Sequence, residues 1–427
     1  MRDILVVILV GAIALSALRR PWIGIIGWTW VGLMNPHKQA WGFAASLPVA
    51  AIVGGATLAG FIATKDKRGG LLIPSSSMLI VFILWMVIVW PFSFYRDAAW
   101  PMLSQILKIQ LMIFVAMALI YERKQIELLV LTIVASLGYY GIKGGLFTIM
   151  TGGGHRVWGP SGTFIEGNNE LALALITVIP LMRYLQLQTK IVWKRHAWSG
   201  AMFLMAASAV GSHSRGALLA IGAMTGLLIV RSRNRFGLLV LAGVAAFFLV
   251  SFMPAEWMSR MNTIQTYEED TSAMSRLDAW TMAFNVARNN VFGGGFEMWS
   301  PATYAEYYPM ARLVVVAHSI YFQVLGELGF IGLFLYLTMW GLLWLDLGSV
   351  RRSVKGDPEK QWMADLAALC QVSLIGYLIG GTFLSLAYFD LPYNLIVICV
   401  CLRRLAIKAA PAEETIVIPK WFNRILQ

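Results

Sequence analysis

Charge is scarce in this chain: only 13% of its 427 residues are Asp, Glu, Lys or Arg, against 58% hydrophobic residues and a mean hydropathy of +0.68. That balance excludes an ordinary soluble domain, which needs far more polar surface. Cysteine is scarcer still. Cys370, Cys399 and Cys401 all fall inside apolar runs, which argues against a disulfide framework or a zinc knuckle. The phosphate-binding GxxxxGK[ST] loop is missing, so nucleotide hydrolysis does not power the protein. HExxH is missing too, and no acidic pair has ligand spacing, so neither a metal nor another cofactor is expected. A trio of His155, His213 and His318 is kept as a minor alternative zinc site.

What is present is a succession of apolar runs. A span needs about 20 apolar residues to cross a hydrocarbon core of about 30 Å. Runs near 46–64, 72–90, 102–121, 126–150, 170–188, 197–212, 216–230, 236–253, 319–346, 362–386 and 389–402 qualify or nearly do. The first 34 residues hold two shorter runs, 4–18 and 21–34, parted by "RRP", which form either two short spans or one broken hairpin. Residues 4–18 could pass for a secretory leader, but apolar segments follow throughout, so an uncleaved first span is expected. The expected fold class is all-α: a polytopic integral membrane protein with about twelve transmembrane helices and one long, partly helical loop.

The net charge of +12 does not imply nucleic acid, because the cations cluster in short loops between spans. "KDKR" at 65–68, "ERK" at 122–124, "KIVWKRH" at 190–196, "RSRNR" at 231–235, "RRSVK" at 351–355 and "RRLAIK" at 403–408 should face the cytoplasm, as should the C-terminus. The loops at 91–101, 151–169, 212–215, 254–317 and near Asp390 then face outward. The chain divides into membrane helices over 1–253, an outer loop over 254–317, and C-terminal helices with a cytoplasmic tail over 318–427. The long loop carries four arginines (260, 276, 288 and 312), no lysine and seven acids (256, 268, 269, 270, 278, 297 and 306). Within it, Leu277, Trp280, Phe284 and Ala287 recur at helical spacing before Gly293–Gly295 stop the pattern, predicting an amphipathic helix over the membrane domain.

Cations on the outer side, where they should be few, are the first candidates for a site. Arg156, Arg215 and Arg276 fall there, and a guanidinium suits phosphate because its planar fork donates two parallel charge-assisted hydrogen bonds. Arg215 opens a helix, where a cation is disfavoured unless an anion is present. Lys108, placed six residues (about 9 Å) inside its expected span, and Lys143 in "GIKGG" are ionisable residues at membrane depth. Taken singly, each of these cations also has a plain structural explanation, as an interfacial, solvated or snorkelling side chain.

His318, in "AHSIYFQVLGELG", stands at the mouth of a span and can exchange a proton near neutral pH, which suits a general base. Glu327 looks like its partner, but nine residues at 100° each put it on the opposite helix face and about 13 Å deeper, so it is read as an interhelical hydrogen-bonding residue. Tyr321 shares the histidine's face. With Arg288 of the loop helix it joins the candidate substrate contacts.

"HRVWGPSGTFIEGNNELALAL" (155–175), "SHSRGALLA" (212–220), "SRLDAWTMAF" with "NNVFGGGF" (275–296) and "AHSIYFQVLGELG" (317–329) together resemble the O-antigen ligase family of the WaaL type. The N-terminal "RRPWIGIIGWTWVGLMNPHKQAWGFA" is similar to a subgroup described as O-glycosylation ligases. The resemblance implies a GT-C-like membrane fold in the bacterial inner membrane, without cofactor. It implies transfer of a polysaccharide from an undecaprenyl-pyrophosphate-linked donor to a lipid A-core acceptor at the periplasmic face. Carried over, the family's histidine is His318 and its arginines are Arg156, Arg215 and Arg276. A polymerase of carrier-linked repeats and a protein O-oligosaccharyltransferase share this arrangement; a transporter of lipid-linked glycan is the alternative from another class.

Overall fold

The computed structural model describes residues 2–67, 72–231, 235–254, 257 and 271–408. Arg68 of the first basic cluster, positions 232–234 of another, loop residues Arg260, Glu256, Glu268, Glu269 and Asp270, and the tail from 409 lie outside the described residues. No strand occurs among those described, and fifteen α-helices do. Six helical segments are long and apolar enough to cross a membrane: Pro74–Phe92, Arg96–Leu119, Arg123–Met150, Asn168–Gln188, Ile320–Ser353 and Pro358–Phe383. Four shorter apolar helices accompany them. This is the build of a polytopic membrane protein.

The first 34 residues form two helices, α1 (Arg2–Arg19) and α2 (Pro21–Met34). Pro21 explains the reversal, since its missing N–H and fixed φ suit the first position of a new helix. An elbow of two short 3-10 turns leads to α3 (Val49–Ala63), and the three helices pack through small residues. A Cβ at Gly60 would run into the Ala17 carbonyl, and one at Gly24 into Thr57.

Next come α4 (Pro74–Val89), α5 (Arg96–Leu119), α6 (Arg123–Met150), α7 (Asn168–Gln188), α8 (Val192–Gly211), α9 (Arg215–Arg231) and α10 (Arg235–Phe252). The loop helix α11 (Thr271–Asn289) and the short α12 (Pro301–Tyr307) precede α13 (Ile320–Ser353), α14 (Gln361–Gly380) and α15 (Asp390–Lys408). α5 starts six residues earlier than the hydropathy implies, because Pro101 is tolerated inside it. Lys108 is therefore twelve residues into the helix, about 18 Å rather than 9 Å.

α13 is broken at Gly329, whose φ of 69° and ψ of −174° are not helical. A break inside a membrane helix frees carbonyls that need other donors. Gly294 N–H donates to Gly326 O at 2.8 Å, Gly295 N–H to Glu327 O at 2.9 Å, and Trp85 Nε1–H to Leu328 O at 2.9 Å. Gly294 O in turn accepts from Phe94 N–H at 2.9 Å. The triple glycine does more than end a helix: it threads between α13 and the 93–94 segment. A Cβ at Gly293 would lie 2.6 Å from Gly326 O, so only glycine fits.

Candidate active site

The loop helix α11 is covered on two sides, which rotates its buried face away from the predicted stripe. Ala279, Met282 and Val286 pack with Met298 and Tyr304 of the loop itself. Leu277 and Phe284 are exposed, although the periodicity placed them inward. The reason is that the loop supplies its own small core, so the helix has two partners to satisfy. Asp278 is buried in that core and accepts Arg312 N–H at 3.0 Å and Arg312 Nη1–H at 3.2 Å, pinning the chain that returns to α13.

Trp280 fastens α11 to the mouth of α13. Its indole stacks on Phe322 with centroids 4.7 Å apart and planes at 4°, and its Nε1–H donates to Ala317 O at 2.7 Å. Arg276 is one turn back on the same helix, which brings its guanidinium near His318. His318 is half-buried and adopts φ 45°, a left-handed conformation unusual for a non-glycine residue. Its neighbours hold it there: the Ala317 carbonyl is taken by Trp280, and Ser319 caps α13 by accepting Phe322 N–H at 3.5 Å. Burial and the Arg276 charge push the His318 imidazole down to about 4. At neutral pH it is uncharged and free to accept a proton.

A second set of elements meets here. His213 also has a positive φ, 57°, and its Nε2 is hydrogen-bonded to Gly153 O at 2.8 Å. Asn168 Nδ2–H donates to Ser212 O at 2.6 Å, and Val157 N–H to Gly211 O at 3.3 Å. These bonds draw the 151–167 loop, the start of α7 and the 211–215 turn together. Arg215 follows that turn as the first residue of α9. A Cβ at Gly216, next to it, would touch Phe383 at 3.3 Å, and the Phe383 ring is 6.3 Å from Trp280. Arg215, Arg276 and His318 thus come from three distant stretches to one end of the bundle.

Glu170, in the first turn of α7, interacts electrostatically with Arg276 and completes this charge cluster. Sequence reasoning passed over it because it opens an apolar run. Its signal was that it is the lone acid at the start of a span.

The other candidates sit elsewhere or are engaged. Arg156 is exposed beside the buried Val157, next to the cluster. Arg288 is exposed at the end of α11, twelve residues from Arg276 or about 18 Å along the helix. Lys143 is exposed on α6, and Lys108 on α5, which packs mainly against α2 and α15. Tyr321 O–H donates to Leu378 O at 2.7 Å and so ties α13 to α14. Glu327 accepts Trp299 Nε1–H at 3.1 Å and Tyr388 O–H at 2.7 Å. It joins the loop, α13 and the α14–α15 connection, the hydrogen-bonding role expected of it. Among the described residues no three His, Cys, Asp or Glu side chains gather as a metal site, and His213 is committed to Gly153.

An Arg-lined mouth with a neutral histidine under a docked loop helix is the geometry against which the family comparison stands. Residues 200–337, which supply Arg215, Arg276 and His318, match the family described as O-Antigen ligase. That stretch of the chain carries the signature of the O-antigen ligase family. Its members are enzymes of lipid-linked glycan transfer. Residues 1–190 match a family of unknown function (DUF5935), so the N-terminal and central parts of the chain carry different signatures. No curated protein matches the chain.

Proposed function

We propose that the protein is an O-antigen ligase, moving a polysaccharide from undecaprenyl pyrophosphate to a sugar hydroxyl of lipid A-core. In this reading the chain crosses the bacterial inner membrane about twelve times, the 254–317 loop and the site face the periplasm, and the C-terminus is cytoplasmic. The single observation that carries it is His318, held uncharged beside Arg276 by the docked loop helix.

The acceptor hydroxyl attacks the anomeric carbon, and a new carbon–oxygen bond forms as the bond to the pyrophosphate oxygen breaks. The electron pair leaves with the pyrophosphate, and the hydroxyl proton passes to the His318 imidazole. Arg215 and Arg276 stabilise the charge gathering on the leaving group, the electrostatic task that a divalent cation performs in other transferases. A base with a depressed pKa is a weak one. Bound pyrophosphate corrects this, since its negative charge offsets that of Arg276 and raises the imidazole pKa when substrate is present. A single displacement inverts the anomeric centre. Arg156, Lys143, Lys108 and Arg288 belong to the approach of the lipid carrier and glycan rather than to the reacting centre, and Tyr321 to the packing of α13 on α14.

The test is transfer by purified protein from carrier-linked glycan to lipid A-core with EDTA, comparing wild type with His318→Ala. Product from wild type alone, with inverted configuration, is expected. Normal product from the variant, or a retained centre, refutes the scheme, and full inhibition by EDTA points to a metal. Polymerase activity would appear instead as lengthened glycan still on the carrier, and protein glycosylation as transfer to a polypeptide acceptor.

A further inference from the structure

The end of the bundle opposite His318 holds a hollow that the transfer reaction does not use. α6 ends at Met150, beside the loop bonded to the 211–213 turn, so its start at Arg123 is about 40 Å from the mouth at 1.5 Å per residue. There the end of α1, the start of α2, the end of α5 and the start of α6 enclose about 400 Å³.

Three cations line it, Arg19, Arg20 and Lys124. None of their side chains makes a hydrogen bond or ion pair with a described residue. Two acids share the wall: Asp66, which accepts the Tyr121 hydroxyl at 2.5 Å, and Glu122. Arg20 is also the N-cap of α2 and offers no side-chain cap, so the free N–H groups of that helix start add positive potential nearby. Asp66 and Glu122 offset two of the three cations, so the hollow keeps an excess of positive charge that favours an anionic ligand. Arginine pairs hold phosphate oxygens by parallel hydrogen bonds. The rest of the wall mixes the polar Thr64 and Gln125 with an apolar side, where Trp22 is half-buried and Leu128 is exposed. A soluble anion has no use for that apolar side, whereas the glycerol and first methylenes of a lipid do.

We propose that this hollow binds the phosphate of an anionic membrane lipid, with Arg19 and Arg20 on its oxygens, Lys124 beside them and the lipid's glycerol region along Trp22 and Leu128. The site is independent of the transfer chemistry and of the family assignment.

The test is native mass spectrometry of delipidated protein after adding back dioleoyl phosphatidylglycerol, dioleoyl phosphatidylcholine or glycerol 1-phosphate. Wild type should retain phosphatidylglycerol preferentially, and Arg19→Gln/Arg20→Gln should weaken that retention roughly tenfold. Arg352→Gln/Lys355→Gln, which removes two exposed cations at the same end but outside the hollow, should not. If the double variant does not fold, Lys124→Gln, a change at an exposed position, should weaken retention several-fold. Equal retention of both lipids, an equal loss in the control variant, or displacement of lipid by glycerol 1-phosphate would each overturn the assignment.

Discussion

The α1–α3 unit and the α11–α13 region both bring backbone against backbone, and they do so by different chemistry. In α1–α3 the approach rests on shape: Gly60 lies on the Ala17 carbonyl and Gly24 on Thr57, and the main polar tie is Asp3 at the elbow, which accepts Gly42 and Ala44 N–H at 3.1 Å. In α11–α13 the approach rests on directed bonds from Gly294, Gly295, Trp85 and Trp280 to carbonyls of 317 and 326–328. Dispersion contacts tolerate small slides along a helix. Hydrogen bonds fix height and rotation together. The half of the molecule that must set a histidine against two arginines is the half that uses them.

The sharpest way to break this contrast is to insert the same side chain in each region. Gly295→Val meets Ser93, with its Cβ 2.7 Å from Ser93 Cα, at a φ of 75° that valine resists. It should abolish transfer and open the loop to protease. Gly60→Val should lower the melting temperature yet leave the surviving protein active, as a transfer assay normalised to folded protein would show. An active Gly295→Val protein would remove the case for the glycine thread.

Within the bonded region, Arg276→Gln should lower kcat by about 10²–10³. It should also move His318 titration upward from about 4 toward its ordinary value near 6.5, because the Arg276 charge is one of the two causes of the depression. The acid limb of kcat/KM reads this directly, since that parameter reports the free enzyme. Wild type should hold its activity down through pH 6 and lose it near 4. For stability the sign is the same: a depressed histidine pKa favours the folded state above about 6.5, and that contribution is lost as pH falls toward 4.

The smallest expected effect is that of Trp280→Phe, which keeps a ring over Phe322 but removes the bond to Ala317 O. A loss of about 1 kcal/mol, or roughly fivefold in kcat, is expected. Hydrogen exchange at residues 317–320 should rise in parallel. If exchange is unchanged, the indole bond does not hold the doorway.

Much of the helix pattern was legible because hydrophobic runs and basic clusters are local properties, and Arg215, Arg276 and His318, singled out by residue type and spacing, do come to one end of the bundle. The Gly329 break was hidden among 39 glycines. Nothing local distinguishes a glycine that receives a neighbouring strand of backbone from one that merely packs. The two-sided burial of α11 was hidden for a related reason, since a single helical stripe cannot reveal a second partner. Tyr321 looked available on the histidine's face, and only α14 could show that its hydroxyl is spent on Leu378.

The sequence by itself determined that this is an apolar, helical, membrane-type chain whose residues 200–337 carry the O-antigen ligase signature, with arginines and a histidine gathered around one long loop. Composition and spacing suffice for that, because hydrocarbon forces every backbone group into a helix. Tertiary structure alone decided that His318 takes a left-handed conformation, that Arg276 depresses its basicity, that Glu170 joins the cluster, and that a glycine thread repairs the break in α13. Those are consequences of contacts between residues far apart in the chain, whose energies depend on distances that no local pattern carries.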